Sequence, residues 1–257
     1  MKKIGIILLV GILISCNKEK VKLGIEMSVG DKHATEASIT IGSMGQLGRM
    51  KFLVDDEVVA VDEAGNHQMN FYYRKMEMEM GSMRYDSDYP EATQFSRLLH
   101  TQLGFLFNQP IKGIVKRNGA TRITEDFKKW EGYANMDPKV AKSLEESFSH
   151  RNIVLPADEI QEGDSWNAEM DRESNGMLMH MKMTYTLKSV SSEEIKITLK
   201  GEMSTKSGMS ATGTIEGEMV LDGKSHYTKS VKMDFLMKAQ GQTIPMNVLM
   251  STTKIKD

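Results

Sequence analysis

The sequence predicts an α+β protein built mainly of antiparallel β-strands: curved, half-barrel-like meander sheets, with two helices between two β-rich halves. Three observations carry this. Apolar and polar residues alternate with period two over long stretches at both ends of the chain. Tight-turn residues separate those stretches. Helical spacing is confined to the middle.

Taken in order, Ile25 to Tyr85 reads as short strands. Ser38–Ile41 alternates, and Lys51–Val54 leads into an acidic turn at Asp55-Asp56, with Glu57–Asp62 as the next strand. Ala64-Gly65-Asn66 is a turn, because Gly and Asn accept positive φ. Met69–Met80 is long and alternating. Ala92–Leu103 places Phe95, Leu98, Leu99 and Leu103 at helical spacing. Phe105–Phe107 and Ile111–Lys116 flank Asn108-Gln109-Pro110 as a strand pair. Asp137-Pro138 supplies an N-cap and an N1 proline for a second helix through Phe148, burying Val140, Leu144 and Phe148.

After Pro156 the pattern is almost purely β. Met177, Met179, Met181, Met183, Tyr185 and Leu187 fall on one strand face; Leu178, His180, Lys182, Thr184 and Thr186 fall on the other. Ile195–Leu199 continues after a turn at Ser191–Glu194. Thr214–Leu221 and Tyr227–Ala239 flank Asp222-Gly223, a hairpin signal. In the second of these, Tyr227, Val231, Met233, Phe235 and Met237 face the core, and Thr228, Ser230, Lys232, Asp234 and Lys238 face out. Gln242–Ile255 is the last strand. Gly30-Asp31 and Gly163-Asp164 open the two β regions in the same way, so residues 24–90 and 156–257 read either as a pseudo-repeat around a helical middle (91–155) or as a chance recurrence.

The N-terminus carries its own signal. Met1-Lys2-Lys3 is a short basic region, and the uncharged apolar run Ile4–Ile14 is too short to span a bilayer, which takes about 20 residues. It ends in Leu13-Ile14-Ser15-Cys16, the pattern of a bacterial lipobox, and Cys16 is the one cysteine of the 257 residues. Residues 1–15 are therefore expected to be a lipoprotein signal peptide, Cys16 the lipidated residue, 16–23 a tether and 24–257 the β-rich domain. Two or three acyl chains make a stable anchor where one does not. Asn17 replaces the Asp of an inner-membrane retention signal, and Lys18-Glu19-Lys20 lacks the acidic cluster of a surface-export signal. The expected place is the outer membrane, facing the periplasm.

Composition excludes several classes. With 33 Lys+Arg against 35 Asp+Glu the net charge is −2, so no nucleic-acid partner is expected. One Cys rules out a disulfide scaffold. No Gly-x-Ser-x-Gly elbow and no His-Glu-x-x-His occurs. Gly217 and Gly223-Lys224-Ser225 imitate a phosphate loop but stand one residue too far apart, in a hairpin. Asp86-Ser87-Asp88 fits one edge of a Ca²⁺ site and fits a turn cap better. The six histidines show no ligand spacing. No catalytic residue, metal or cofactor is expected, and any catalytic constellation has to be assembled by the fold.

The ordered motifs Val61-Asp62-Glu63-Ala64-Gly65-Asn66, Tyr85-Asp86-Ser87 and Leu155-Pro156 through Glu162-Gly163-Asp164-Ser165-Trp166, together with the lipobox, resemble a family of uncharacterised Bacteroidetes-type envelope lipoproteins. That resemblance implies no activity. More distantly, the pattern is similar to periplasmic lipoprotein carriers and lipid-binding half-barrels, a likeness of fold only.

Methionine remains: 22, more than Phe, Tyr and Trp together. The clusters Met76–Met80 and Met177–Met183 fit three roles. They fill a closed core; they line a deformable groove for a lipid or other hydrophobic ligand; or they bind Cu(I) as soft ligands. His180, on the opposite face, counts against copper. The candidate apolar ligand face is Met177, Met179, Met181, Met183 and Tyr185. The sequence is thus expected to encode a monomeric binding or envelope-maintenance protein rather than an enzyme. The alternatives are an interaction module of an envelope complex, or a hydrolase revealed by a deep polar cleft holding a His–carboxylate pair of perturbed pKa.

Overall fold

Antiparallel pairing of neighbours in sequence dominates the structure, a computed structural model that describes residues 20–43, 46–133, 154–174, 177–207 and 210–255. Among the described residues the strands are β1 (Lys32–Ser43), β2 (Gln46–Val61), β3 (His67–Met80), β4 (Met83–Asp86), β5 (Ile111–Val115), β6 (Thr121–Ile123), β7 (Ser165–Ser174), β8 (Met177–Val190), β9 (Glu194–Ser207), β10 (Ala211–Asp222), β11 (Thr228–Ala239) and β12 (Gln242–Lys254); an α-helix, α1 (Gln94–Leu103), follows β4. They form a single open, curved sheet in the order β6-β5-β3-β2-β1-β12-β11-β10-β9-β8-β7, with β4 added to the far end of β3. The two β-rich halves are fused at the middle, where β1 pairs with β12 from His33↔Lys254 to Ile41↔Met246.

Opposed residues of an antiparallel ladder share a face. The register therefore carries one apolar face across the sheet, for example Met181↔Met203, Ile215↔Phe235, Phe235↔Met246 and Ile39↔Met50. At one end Val58, Met69, Leu187, Ile195 and Leu221 of this inner face are fully buried. Loops from elsewhere close that end: Leu23, Ile25 and Met27 before β1, Phe127, and Leu155 and Ile160 before β7 join the same core. The N-terminal segment is tied down there by Val21↔Ile160, Ile25 N–H to Arg117 O (2.6 Å) and Met27 N–H to His67 Nε2 (3.1 Å).

The Gly-Asp turns are built twice with the same bonds. Gly30 and Gly163 take φ of 91° and 96°. Asp31 and Asp164 accept the N–H of Ser28 (2.9 Å) and Gln161 (3.0 Å). Gly30 N–H and Gly163 N–H donate to Val58 O and Leu187 O, and Val58 and Leu187 donate back to Asp31 O and Asp164 O. A bulge follows Val58 in β2 and Leu187 in β8.

Four expectations change. Asp55-Asp56 is no turn: β2 runs through it, because the Asp56 carboxylate is buried and bonded to His33 and Tyr227. Phe105–Phe107 is not a strand but a 3-10 turn over Gly104–Leu106; only Phe107 bridges, in parallel, to Tyr73, and Asn108 leaves at φ 61°. Ile111–Val115 pairs with β3 and β6 instead. Thr228 faces inward, since a register shift at Val220/Leu221 sets it opposite Leu221. The helix expected at Asp137–Phe148 lies outside the described residues.

Candidate functional site: the open end of the apolar face

The inner face is apolar along β3, β8 and β11, but its cover changes along each strand. On β8, Leu187, Tyr185 and Met183 are buried, Met183 at 5% exposure, whereas Met181 and Met179 are only half-buried. On β2, Val58 and Val54 are buried and Phe52 and Met50 are not fully so. On β3 the sequence is Met69 and Phe71 buried, Met76 and Met78 half-buried, Met80 exposed. On β11 it is Val231 buried, then Met233, Phe235 and Met237 half-buried. Among the described residues the sheet is thus a trough closed at one end and open at the other.

Glycines shape that trough. A Cβ at Gly213 would meet Met203 Cγ at 2.9 Å, and one at Gly201 would fall on the Met183 sulfur. The absent side chains let thioethers lie flat against the sheet. Burial also sets the electrostatics: it pushes the Tyr185 phenol up, and the Tyr85 phenol up to about 12. At the β4 corner the Tyr85 hydroxyl meets His100 Nδ1 of α1 at 3.0 Å, and Ser96 Oγ donates to Arg84 O at 2.8 Å. This helix covers Tyr85 yet leaves Leu98 62% exposed, so Leu98 is not a lid over the methionine row.

Of the residues expected to form the ligand face, Met179, Met181, Met183 and Tyr185 lie together on the inner side of β8. Met177 begins β8, but its side chain, like Cys16, lies outside the described residues. The face is wider than that row: Met203, Met237, Met246 and Met50 continue it across the sheet. Their signal was the same alternation, diluted to one methionine per strand. His180 lies on the outer face and bonds Asp171, whose carboxyl is held low by Lys206 and then His180. Among the described residues no group of three His, Cys, Asp or Glu is placed to hold a metal. At Asp86-Ser87-Asp88 the cation is Lys75, which bridges Asp88 (2.9 Å), Glu77 (3.0 Å) and Asp86 (3.4 Å).

A second constellation forms at the closed end. His33 of β1 and Asp56 of β2 are directly opposed, with Nδ1 and Oδ1 3.0 Å apart; since a carboxylate oxygen only accepts, Nδ1 carries the proton. The Tyr227 hydroxyl donates to Asp56 Oδ2 (2.9 Å), and its ring stacks on His33 with centroids 4.6 Å apart. His33 is 6% and Asp56 3% exposed. Sequence spacing could not show this, as the three residues come from three separate elements.

A family profile described as a family of unknown function, DUF6263, matches residues 64–235. No curated protein matches the sequence. Among solved structures, a structure titled for lipid–protein interactions in lipovitellin is similar over 90% of this chain, at 8% identity and TM-score 0.49; the chain spans 26% of that one. Rv2717c from M. tuberculosis is similar over 89% of this chain and 92% of its own, at 9% identity and TM-score 0.30. A DUF1329 family protein from Desulfovibrio piger is similar over 88% and 86%, at 9% identity and TM-score 0.23.

Proposed function

The chain belongs to the family of unknown function DUF6263, and from that premise, which assigns no activity, we propose that the open end of the trough holds an apolar ligand, an acyl chain above all. One observation supports the reading before any other. The inner face remains apolar beyond the point where the protein's own side chains bury it, as at Met181 and Met179 of β8. Apolar surface left in water forgoes about 25 cal/mol per Å², and unbranched thioethers repack around chains of different length at little cost.

The same proposal includes the anchor. Cys16 carries the lipid, residues 1–15 are removed, and the protein faces the periplasm from the outer membrane as a Bacteroidetes-type envelope lipoprotein. The trough's orientation then follows. Val21, which is seated at the closed end, is five residue steps from Cys16; at about 3.5 Å per step the tether reaches roughly 18 Å. A strand of the length of β3, 14 residues, is about 45 Å long. Standing upright on its anchor, the protein turns its mouth away from its own membrane, toward soluble donors or acceptors of the ligand.

Replacing Met179 and Met181 with Gln tests the trough. Loss of fluorescent fatty-acid binding, with the melting temperature nearly unchanged, is the expected result. A sharply lowered melting temperature instead makes the row a closed core, and a wild-type protein that takes up no apolar probe ends the proposal. For the anchor, Cys16→Ser should abolish acyl labelling and leave the uncleaved precursor. Ready digestion by protease added to intact cells would refute the periplasmic orientation.

A further inference from the structure

We propose that the cleft at the closed end is a separate binding site for an oxyanion, a phosphate or carboxylate group, held by Lys224 and Lys229 with His33 at its floor. The cleft has a volume of about 780 Å³ and lies between the N-terminal segment, the β10–β11 hairpin and the end of β12; His33 and Tyr227 line it. That is within the roughly 300–1,000 Å³ of small-molecule sites.

Most of the charges in the cleft are already engaged. Three acids line it. Glu26 is paired with Arg117 at 2.6 Å. Asp31 accepts the Ser28 N–H and bonds Lys254. Asp222 Oδ1 accepts the N–H of Lys224 (3.0 Å) and of Ser225 (2.9 Å), and the Ser225 hydroxyl (3.0 Å). Lys254 is taken by Asp31. What remains without a direct partner is cationic: among the described residues neither the Lys224 nor the Lys229 ammonium has an ion pair or hydrogen bond, and Lys229 acts on Asp222 and Glu194 only through longer-range charge.

His33 gives the site its built floor. Its Nδ1 is committed to Asp56, whose second oxygen is fixed by Tyr227, so the ring cannot turn without breaking a buried network. Nε2 is the nitrogen left for the cleft, and it has no partner among the described residues. Phosphate suits either state of such a ring. The neutral imidazole accepts an O–H of hydrogenphosphate, and the imidazolium donates its second N–H to an anionic oxygen, with Asp56 behind it as counter-charge. An apolar ligand would leave these donors unsatisfied, so this cleft and the trough take different chemistry.

The full chain in dodecylmaltoside micelles can be titrated with inorganic phosphate while the ring resonances of its six histidines are followed by NMR. The proposal expects a saturable shift of the His33 resonances, and a loss of affinity of at least about tenfold in the Lys224→Gln/Lys229→Gln protein, whose exposed substitutions leave the melting temperature unchanged. A shift produced only when the micelles are doped with phosphatidylglycerol identifies the anion as a lipid headgroup. A shift with inorganic phosphate identifies a free anion. The proposal is overturned if neither probe moves His33, or if the shift keeps its full affinity in the double variant.

Discussion

The two ends of the same strands carry the same alternation but meet different neighbours. At the closed end the inward residues of β2, β3, β8 and β9 are met by Leu23, Ile25, Phe127, Leu155 and Ile160, and the face becomes a core. Toward the open end the inward residues are still Met, Ile, Val and Phe, yet Met179, Met50 and Met237 are only half-buried. An apolar pattern therefore shows which side of a strand turns inward. What covers that side depends on segments that are remote in sequence.

Matched substitutions at the two ends separate core from trough. Phe71→Ala, at a site 1% exposed, is expected to cost about 3–5 kcal/mol, whereas Phe235→Ala, half-buried, should cost about 1–2 kcal/mol because less surface is lost from contact. Urea titration of both variants measures the difference; equal costs would mean the open end is as closed as the other. The glycines give a smaller contrast. A Cβ at Gly217 falls on the Lys232 carbonyl oxygen and 2.9 Å from Leu199 Cδ1, while one at Gly48 finds nothing nearer than 3.7 Å. Gly217→Ala should destabilise by about 1–3 kcal/mol, and Gly48→Ala by less than about 0.5 kcal/mol.

Much of the sheet was legible because its signals are local. Asp222-Gly223 made the β10–β11 turn, and Met177–Leu187 shows its inward side without reference to any partner. The join between β1 and β12 was not legible, because nothing in Ile39 names Val248 as its neighbour. Asp56 misled for the same reason. An acidic pair in isolation signals a turn, but its histidine lies 23 residues away and its tyrosine 171 away. Thr228 was misplaced by a bulge, which shifts one strand against the other and reverses every face beyond it. The apolar row of the proposed trough could be read from spacing; the half-burial of its far end could not, since exposure depends on packing by segments remote in sequence.

A smaller effect is expected at the N-terminal segment that covers the closed end. His67 Nε2 accepts the Met27 N–H, which only the neutral ring can do, and burial holds the imidazole below its ordinary value of 6.5, against a weaker upward pull from the Asp62 charge. The unfolded chain therefore binds a proton at higher pH than the folded one. The stabilisation is fully present above about pH 6.5 and declines as pH falls toward the lower folded value. Protonation also sets an N–H against the Met27 N–H, so the loss falls first on the seating of residues 21–27. Hydrogen-exchange protection of Met27 and Ile25 should drop as pH falls below about 6.5, while Ile197, deep in β9, keeps its protection. His67→Gln, which offers no titrating group, should flatten that step. A protein in which both segments lose protection together would show that the N-terminal segment is not a separate closure but part of one cooperative core.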